Sequence, residues 1–325
     1  MLLLEEADVV ALLDIGRSIE ELRAALAEQH AGQVQMPARQ TTDVHEGGHW
    51  LRISQAFLNG SGFMGFKSMN RAAGLGMRYL IGLYRIETGE LLSLMDANWV
   101  TTRRTAATSA LGTHLLAPAD DRRIGVIGTG IQARAFAAAY AALRPLEEIV
   151  VFSPRSESRA DFARAIGTEL GVPVTPVASA GTVAELCPTT ALAIRAPKEP
   201  VYRSAWLRPG CHVTGLSSVR AEAREVDDGL WTESDVVVVD DRGTVGQSGD
   251  GRAATASGID ISTLPELHDL AAGVVGRSDA SQVTLFKSAG NAMQDIAVAV
   301  GVYRLAVERS AGKDIGAFPA VKPYA

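Results

Sequence analysis

The sequence predicts an α/β protein with two parts, one built on a doubly wound parallel sheet and the other on a mainly antiparallel sheet. A short apolar strand, a glycine turn and an alanine-rich helix follow one another from Arg123 onward. After residue 148, apolar strands and helical segments alternate, which is typical of a parallel sheet. Between residues 36 and 96, strand-like segments succeed one another with only turns between them, which indicates antiparallel pairing.

The N-terminal part begins with a predicted strand at Leu2–Leu4 and a helix that ends near His30. The capping-box pattern that begins at Ser18 predicts the start of that helix. Further strands are predicted at 51–53, 63–69, 79–86 and 91–95, and a helix at 96–116 leads into the linker at 118–121. We therefore predict an α+β N-terminal substrate-binding and dimerisation domain at 1–117, completed by a C-terminal helix and tail at 296–325. The second domain spans 118–295.

The glycine turn has the pattern G-x-G-x-x-A. Its residues are Gly128, Thr129, Gly130, Ile131, Gln132 and Ala133. The first glycine allows a tight turn, the second allows a pyrophosphate to approach, and the alanine lets the helix pack closely on the sheet. A simple tight turn uses the same residue types, but a strand precedes this one, and a helix and a second strand at 148–152 follow. The pattern therefore predicts a Rossmann dinucleotide-binding domain.

The end of the second strand favours one cofactor over the other. An NAD site usually places a carboxylate there for the ribose hydroxyl, whereas a 2′-phosphate needs cationic and hydroxyl donors. This chain has Ser153, Arg155 and Ser156 at that point and no acid. We predict that NADP(H) is preferred, with NAD(H) possible as a substitute. The alternative is that Arg155 and Arg159 only solvate the start of the next helix.

Composition limits the class of protein. The 325 residues carry a net charge of −6 with no basic cluster, which argues against nucleic acid or an anionic membrane as a partner. No apolar run approaches a membrane span, and the N-terminus lacks the basic segment of a secretory signal. Two cysteines fit a reducing compartment. His45 and His49 lack a third ligand at metal spacing. These features predict a cytoplasmic protein without a metal site.

Three basic residues stand in otherwise apolar or small-residue surroundings. They are Arg39, Lys67 and Arg104. Each could lie on a solvated face, because exposed cations are common. Together they indicate a pocket for a small anionic substrate, since arginine binds carboxylates through two N–H groups and lysine adds a point charge.

Several motifs resemble those of the ornithine cyclodeaminase/mu-crystallin family across nearly the whole chain. They are Gly65-Phe66-Lys67, the Thr101–Ser109 segment, the glycine turn, Arg224–Asp227 and Thr284–Asp295. This resemblance implies a homodimer joined through its N-terminal sheets and a hydride moved between nicotinamide and the α-carbon of a small amino or imino acid. It also implies that Lys67 and Arg104 are catalytic residues that bind the substrate carboxylate, with Arg39 as a further substrate-binding residue.

The chain departs from the family at the position of the aspartate used by its cyclodeaminases. Alignment through Arg224 and Glu225 places that position at or next to Val219, and valine cannot accept a proton. Ketimine reductase-like members also lack this aspartate, so imine reduction or its reverse, amino acid oxidation, is the favoured activity. Two alternatives stay open at this point. One is a cyclodeaminase that uses Glu222 instead, and the other is a nucleotide-bound ligand carrier without turnover.

Overall fold

The structure is a computed structural model that describes residues 1–44, 48–216 and 220–322. The strands are β1 (Leu2–Leu4), β2 (Val34–Gln35), β3 (Gln40–Asp43), β4 (Trp50–Leu58), β5 (Phe63–Ala72), β6 (Gly76–Arg85), β7 (Leu91–Asp96), β8 (Arg123–Ile127), β9 (Glu148–Phe152), β10 (Val174–Pro176), β11 (Thr189–Leu192), β12 (His212–Leu216), β13 (Val236–Val239), β14 (Thr284–Ser288) and β15 (Lys313–Asp314).

The helices complete the order of elements. They are α1 (Glu6–Leu12), α2 (Ile15–His30), α3 (Asn98–Leu116), α4 (Ile131–Leu143), α5 (Ser156–Leu170), α6 (Ala180–Leu186), α7 (Asp228–Glu233), α8 (Arg242–Gln247), α9 (Gly249–Ala256), α10 (Leu267–Ala271) and α11 (Ala292–Glu308), with 3₁₀ turns at Ser204–Trp206 and Ile261–Thr263. Among the described residues, none of these helices combines the length and apolar character needed to cross a bilayer.

The chain forms two compact units. Unit 1 contains residues 1–104 and 291–325, and unit 2 contains residues 105–290. The predicted domains assign the rest of α3 and residues 291–295 differently, and those boundaries stay a prediction.

Unit 1 is built on one eight-stranded sheet. Its strand order is β15-β1-β7-β6-β5-β4-β2, with β3 also paired to β4. All pairs are antiparallel except β1 with β7, so the mainly antiparallel sheet expected from the sequence is confirmed. The C-terminal segment joins this sheet through β15, where Leu2 pairs with Asp314.

One face of this sheet is covered by helix α11. The helix packs on β4, β5 and β6, and Gly65 allows this close approach because a Cβ there would lie 2.8 Å from Ile296. Alternating residues of the strands, including Ala56, Ile81 and Leu83, are fully buried on this face. The core of unit 1 therefore lies between the sheet and α11.

Unit 2 is built on a seven-stranded parallel sheet. The order β10-β9-β8-β11-β12-β14-β13 has β8 and β11 as neighbours, and the chain runs outward from them in opposite directions. All its strand pairs are parallel. In such open sheets, ligands bind beyond the carboxyl ends of the strands where the order reverses. The Rossmann architecture expected from the sequence is therefore confirmed.

Two details differ from the sequence-based expectations. Helix α2 begins after Asp14, whose side chain accepts a hydrogen bond from the Arg17 N–H, so the capping box predicted at Ser18 is wrong. Ser18 lies inside the helix and its hydroxyl donates to the carbonyl of Asp14. The sequence predicts that the helix after β9 runs from Arg159 to Leu170, but α5 already begins at Ser156. The earlier start brings Arg155 to the N-cap position.

Candidate active site

The glycine turn joins β8 to α4 with the geometry that a pyrophosphate needs. Gly128 has φ = +120°, and a Cβ there would lie 2.2 Å from the carbonyl oxygen of Ala193. Nothing lies within 4 Å of the place where a Cβ of Gly130 would stand, so this side of the turn is open. Gly130 is the N-cap of α4 and offers no side-chain acceptor to the first N–H groups of the helix. Those N–H groups suit phosphate oxygens.

The predicted residues of the glycine turn differ in their burial and in their contacts. Ala133 is fully buried and packs α4 on the sheet, whereas Ile131 is exposed. The Gln132 side-chain oxygen is buried and has no hydrogen-bond partner within the described chain. The Thr129 hydroxyl donates to the Ser153 hydroxyl at 3.2 Å, which ties the glycine turn to the end of β9.

Arg155 and Ser156 lie exposed immediately after β9. The neighbouring Arg159 donates from its guanidinium to the Ser153 carbonyl at 2.6 Å, so Arg159 holds the backbone of the loop. The side chain of Arg155 makes no hydrogen bond or ion pair with any residue that the structure describes. The two arginines therefore differ: Nη1 of Arg159 is used on the loop backbone, whereas all the guanidinium donors of Arg155 are available for a 2′-phosphate.

In unit 1, Lys67 lies on the buried face of β5. Strand alternation places it there, and its side chain is only 4% exposed. Its Nζ is 2.6 Å from Oδ2 of Asp295, which lies in the first turn of α11. The ring centroid of Tyr79, two positions from the β6 partner of Lys67, is 5.9 Å from Nζ. Lys67 is therefore a core residue and not a solvated lysine.

Arg104 of α3 contacts the same carboxylate. Its Nε donates to Oδ1 of Asp295 at 2.9 Å, and Nη1 donates to the side-chain oxygen of Gln294 at 3.0 Å. All these side chains are buried. We call Lys67, Arg104, Gln294 and Asp295 the cationic cluster. The structure thus brings Lys67 and Arg104 together, and Asp295 and Gln294 are site residues that the sequence analysis did not assign.

The charged groups of the cationic cluster are shielded from solvent, which affects their protonation. Burial lowers the pKa of Lys67 to about 8, and the positive charges of Arg104 and Arg52 act in the same direction, while Asp295 opposes them. Burial also raises the pKa of the Tyr79 hydroxyl. A lysine near this value exchanges its proton readily at neutral pH, which is the property required of a proton donor.

Asp295 does not exhaust the donors of the cluster. An ammonium has three N–H donors and a guanidinium has five. Among the described residues, Nη2 of Arg104 has no acceptor. The cluster can therefore bind a further carboxylate without losing Asp295.

The other predicted positions are less closely connected to the cluster. Arg39 is half-buried in the segment between β2 and β3 and makes interactions of its own. Glu222 is exposed in a turn of unit 2. Val219 and His45 lie outside the residues that the structure describes, while His49 is an exposed loop residue. Whether Arg39 binds substrate stays a prediction.

Unit 2 contains a second buried charged group that the sequence analysis did not identify. Lys287 of β14 is 0% exposed, and its Nζ lies 2.5 Å from Glu225 and 2.5 Å from Asp250. Burial alone would lower the pKa of Lys287, but the two carboxylates outweigh it and raise the pKa. Gly215 at the carboxyl end of β12 leaves room for this amine, since a Cβ there would stand 2.7 Å from Nζ. We call Lys287, Glu225 and Asp250 the buried triad.

The chain is similar to known proteins over most of its length. The model of the ornithine cyclodeaminase/mu-crystallin family matches residues 1–310. A Δ1-pyrroline-2-carboxylate reductase of Paracoccus denitrificans is 31% identical over 67% of this chain and 70% of its own. The mouse ketimine reductase mu-crystallin is 31% identical over 68% of this chain and 67% of its own.

A solved structure agrees with this assignment. Thermococcus litoralis Δ1-pyrroline-2-carboxylate reductase, in complex with NADH and L-proline, has a TM-score of 0.90 and 30% identity, covering 97% of this chain and 100% of its own. The resemblance and the fold expected from the sequence are confirmed, and the chain belongs to the ornithine cyclodeaminase/mu-crystallin family.

Proposed function

We propose that the protein is an NAD(P)-dependent imine reductase that reduces the C=N bond of a small α-imino acid. The observation that supports this most directly is the cationic cluster, which offers a buried lysine and arginine to a carboxylate. The related reductases are named for Δ1-pyrroline-2-carboxylate, which is a carboxylated imine, and for ketimines. A bound nicotinamide supplies the hydride for such a reduction.

Within this function, Arg104 binds the substrate carboxylate and fixes the position of the imine carbon. Its guanidinium is held by Asp295 and Gln294, so it presents the remaining N–H donors in one orientation. Lys67 adds the second charge and holds a proton at Nζ. Hydride addition to the carbon and transfer of that proton to nitrogen convert the imine into the amine. Arg39 is proposed as a further contact to the substrate.

We further propose that NADPH is the preferred cofactor. Arg155 has donors available at the end of β9, Ser156 lies beside it, and Ser153 is held by Thr129 next to the glycine turn. A 2′-phosphate would gain a charge-assisted hydrogen bond from Arg155 that a ribose hydroxyl would not.

The exposed face of the unit 1 sheet supports a homodimer. Its side chains include Leu51 at 44% and Leu80 at 39% exposed, and half-buried Ile53, Phe66 and Tyr84 lie on the same face. Exposed apolar side chains grouped on one face are typical of an interface. We propose that a second copy of this sheet covers it. Light scattering at micromolar concentration should report a dimer, and Leu80→Glu should shift it towards monomer without loss of secondary structure.

Steady-state oxidation of NADPH tests the proposed activity. Purified protein should oxidise NADPH with Δ1-pyrroline-2-carboxylate, and with a 2-oxo acid plus an amine that together form an imine. Release of ammonia from ornithine would instead support a cyclodeaminase that uses Glu222. Tight NADPH binding without turnover on any imine would support a ligand carrier.

A further inference from the structure

Arg52 lies on the same face of the unit 1 sheet as the cationic cluster. On β4, Ser54 pairs with Lys67 and Arg52 pairs with Met69, so Arg52 and Lys67 are diagonal neighbours. Diagonal neighbours in an antiparallel pair are about 7–8 Å apart, within reach of long side chains. The charge of Arg52 contributes to the lowered pKa of Lys67. Arg52 therefore acts electrostatically on the cluster.

The guanidinium of Arg52 is held on one side and has unused donors on the other. Its Nε donates to the Thr41 hydroxyl at 2.8 Å, and its carbon Cζ lies 5.4 Å from the ring centroid of Trp50. Its two Nη groups have no hydrogen bond or ion pair with any described residue. The side chain is half-buried, and burial lowers its pKa while the exposed Asp43 opposes that shift.

The charges on this face do not balance. Lys67, Arg104 and Arg52 contribute three positive charges, and among the residues that the structure describes, Asp295 is the one carboxylate that contacts Lys67 and Arg104 directly. The α-carboxylate of an imino acid would neutralise one of the two remaining charges. Asp43 is exposed and favours the charge of Arg52 but forms no ion pair with it, so a ligand with a second negative group would gain by pairing directly with this half-buried cation.

We propose that Arg52 is a specificity-determining residue that binds a second carboxylate on the substrate side chain. The preferred substrate class is then the dicarboxylic α-imino acids. This inference rests on the proposed imine reductase activity and restricts its substrate class. Lys67 and Arg104 bind the carboxylate next to the C=N bond, and the Nη groups of Arg52 bind the distal one.

The test compares substrates that differ only in the second carboxylate. One pair is Δ1-piperideine-2-carboxylate and Δ1-piperideine-2,6-dicarboxylate, and the other is ammonia with 2-oxobutyrate or 2-oxoglutarate. We expect the wild type to favour the dicarboxylate in at least one pair. Arg52→Gln should lower kcat/KM for that dicarboxylate about tenfold or more, as expected for a lost charge-assisted hydrogen bond, and should leave the monocarboxylate within about twofold.

Arg85→Gln is the matched control. Arg85 lies on the same sheet, where its Cζ is 4.9 Å from the centroid of the Phe63 ring, and three residue pairs of β5 and β6 separate it from the Lys67 position. It should change neither substrate. Equal losses for both substrates in Arg52→Gln, or no wild-type preference for the dicarboxylate, would overturn the inference while leaving imine reduction intact. If the wild type reduces no imine at all, the proposed function itself is wrong.

Discussion

Replacing Lys287 with methionine should destabilise unit 2 strongly, and in a manner that depends on pH. The substitution keeps an unbranched side chain one atom shorter but leaves Glu225 and Asp250 buried around a site from which the positive charge has gone. Removing one partner of a buried ion pair costs about 3–5 kcal/mol. For a unit of this size, that corresponds to a fall in Tm of about 10 °C.

The direction in which stability changes with pH depends on the protonation of Lys287 in the wild type and of the two carboxylates in the variant. In the wild type the pKa of Lys287 is raised, so its stabilising charge is present at all pH values below the ordinary lysine range and is lost only as pH rises beyond it. In the variant, Glu225 and Asp250 are buried carboxylates with no ammonium between them, and they repel each other while both are charged. Their repulsion is relieved by a proton at acidic pH, so the variant should lose more stability at pH 8 than at pH 5.

Urea unfolding, followed by tryptophan fluorescence and circular dichroism at both pH values, provides the measurement. The double variant with Glu225→Gln should be more stable than Lys287→Met alone, because it contains one buried carboxylate fewer. The remaining carboxylate of Asp250 still has an ion pair with Arg224 at 3.5 Å and still accepts a hydrogen bond from the backbone N–H of residue 225. Arg164→Met is the control, since its ion pair with Asp161 is exposed and should change stability by less than about 0.5 kcal/mol. A loss below about 1 kcal/mol for Lys287→Met at pH 8 would refute this account of the triad.

Four further predictions concern the two ligand sites. Arg104→Lys should lower kcat/KM roughly 100-fold despite the retained charge, because the carboxylate loses its paired donors; cofactor affinity, measured by fluorescence titration, should stay unchanged, and wild-type turnover would contradict the proposal. The kcat/KM profile should fall above about pH 8, where Lys67 loses its proton, and a profile flat to pH 10 would exclude Lys67 as the donor. Arg155→Asp should weaken NADPH binding about tenfold or more with little effect on NADH, and tighter NADH binding by the wild type would refute the NADPH preference. Gly128→Ala should lower both stability and cofactor affinity, because φ of Gly128 is +120° and a Cβ there would clash with the carbonyl oxygen of Ala193. Gly130→Ala should lower affinity alone, and equal melting temperatures for the two variants would argue against this distinction.

Sequence patterns predicted the parts of the fold that depend on local signals. The apolar strand before Gly128 and the small residues after it identified the Rossmann unit, because each residue type there satisfies a nearby steric requirement. Lys67 and Arg104 were also predicted to belong to one site, because charged residues in apolar segments are rarely buried unless they are paired. The first residue of a helix was harder to predict: Asp14 and not Ser18 caps α2, and both residue types are favoured at the N-cap.

Asp295 and Arg52 were missed because their roles depend on pairings between distant parts of the chain. Asp295 meets Arg104 across 191 residues of sequence, and no local pattern specifies that contact. The sequence feature that could have identified Asp295 was its position as the acidic residue in the first turn of the mostly apolar helix α11. Arg52 required the register of β4 against β5, and Lys287 required the position of β14 within the sheet. A lysine inside the buried run Thr284–Ser288 was the signal that could have identified it.

The discontinuity of unit 1 has a consequence for the order in which the protein is made. Arg104 leaves the ribosome 191 residues before Asp295, an interval of about 10–40 s at ordinary rates of synthesis. Unit 2 is continuous and is fully synthesised within that interval. Lys67 and Arg104 thus exist without their carboxylate while the intervening unit is translated, and the sheet remains without helix α11. The cationic cluster can therefore be completed only after the whole of unit 2 has been synthesised.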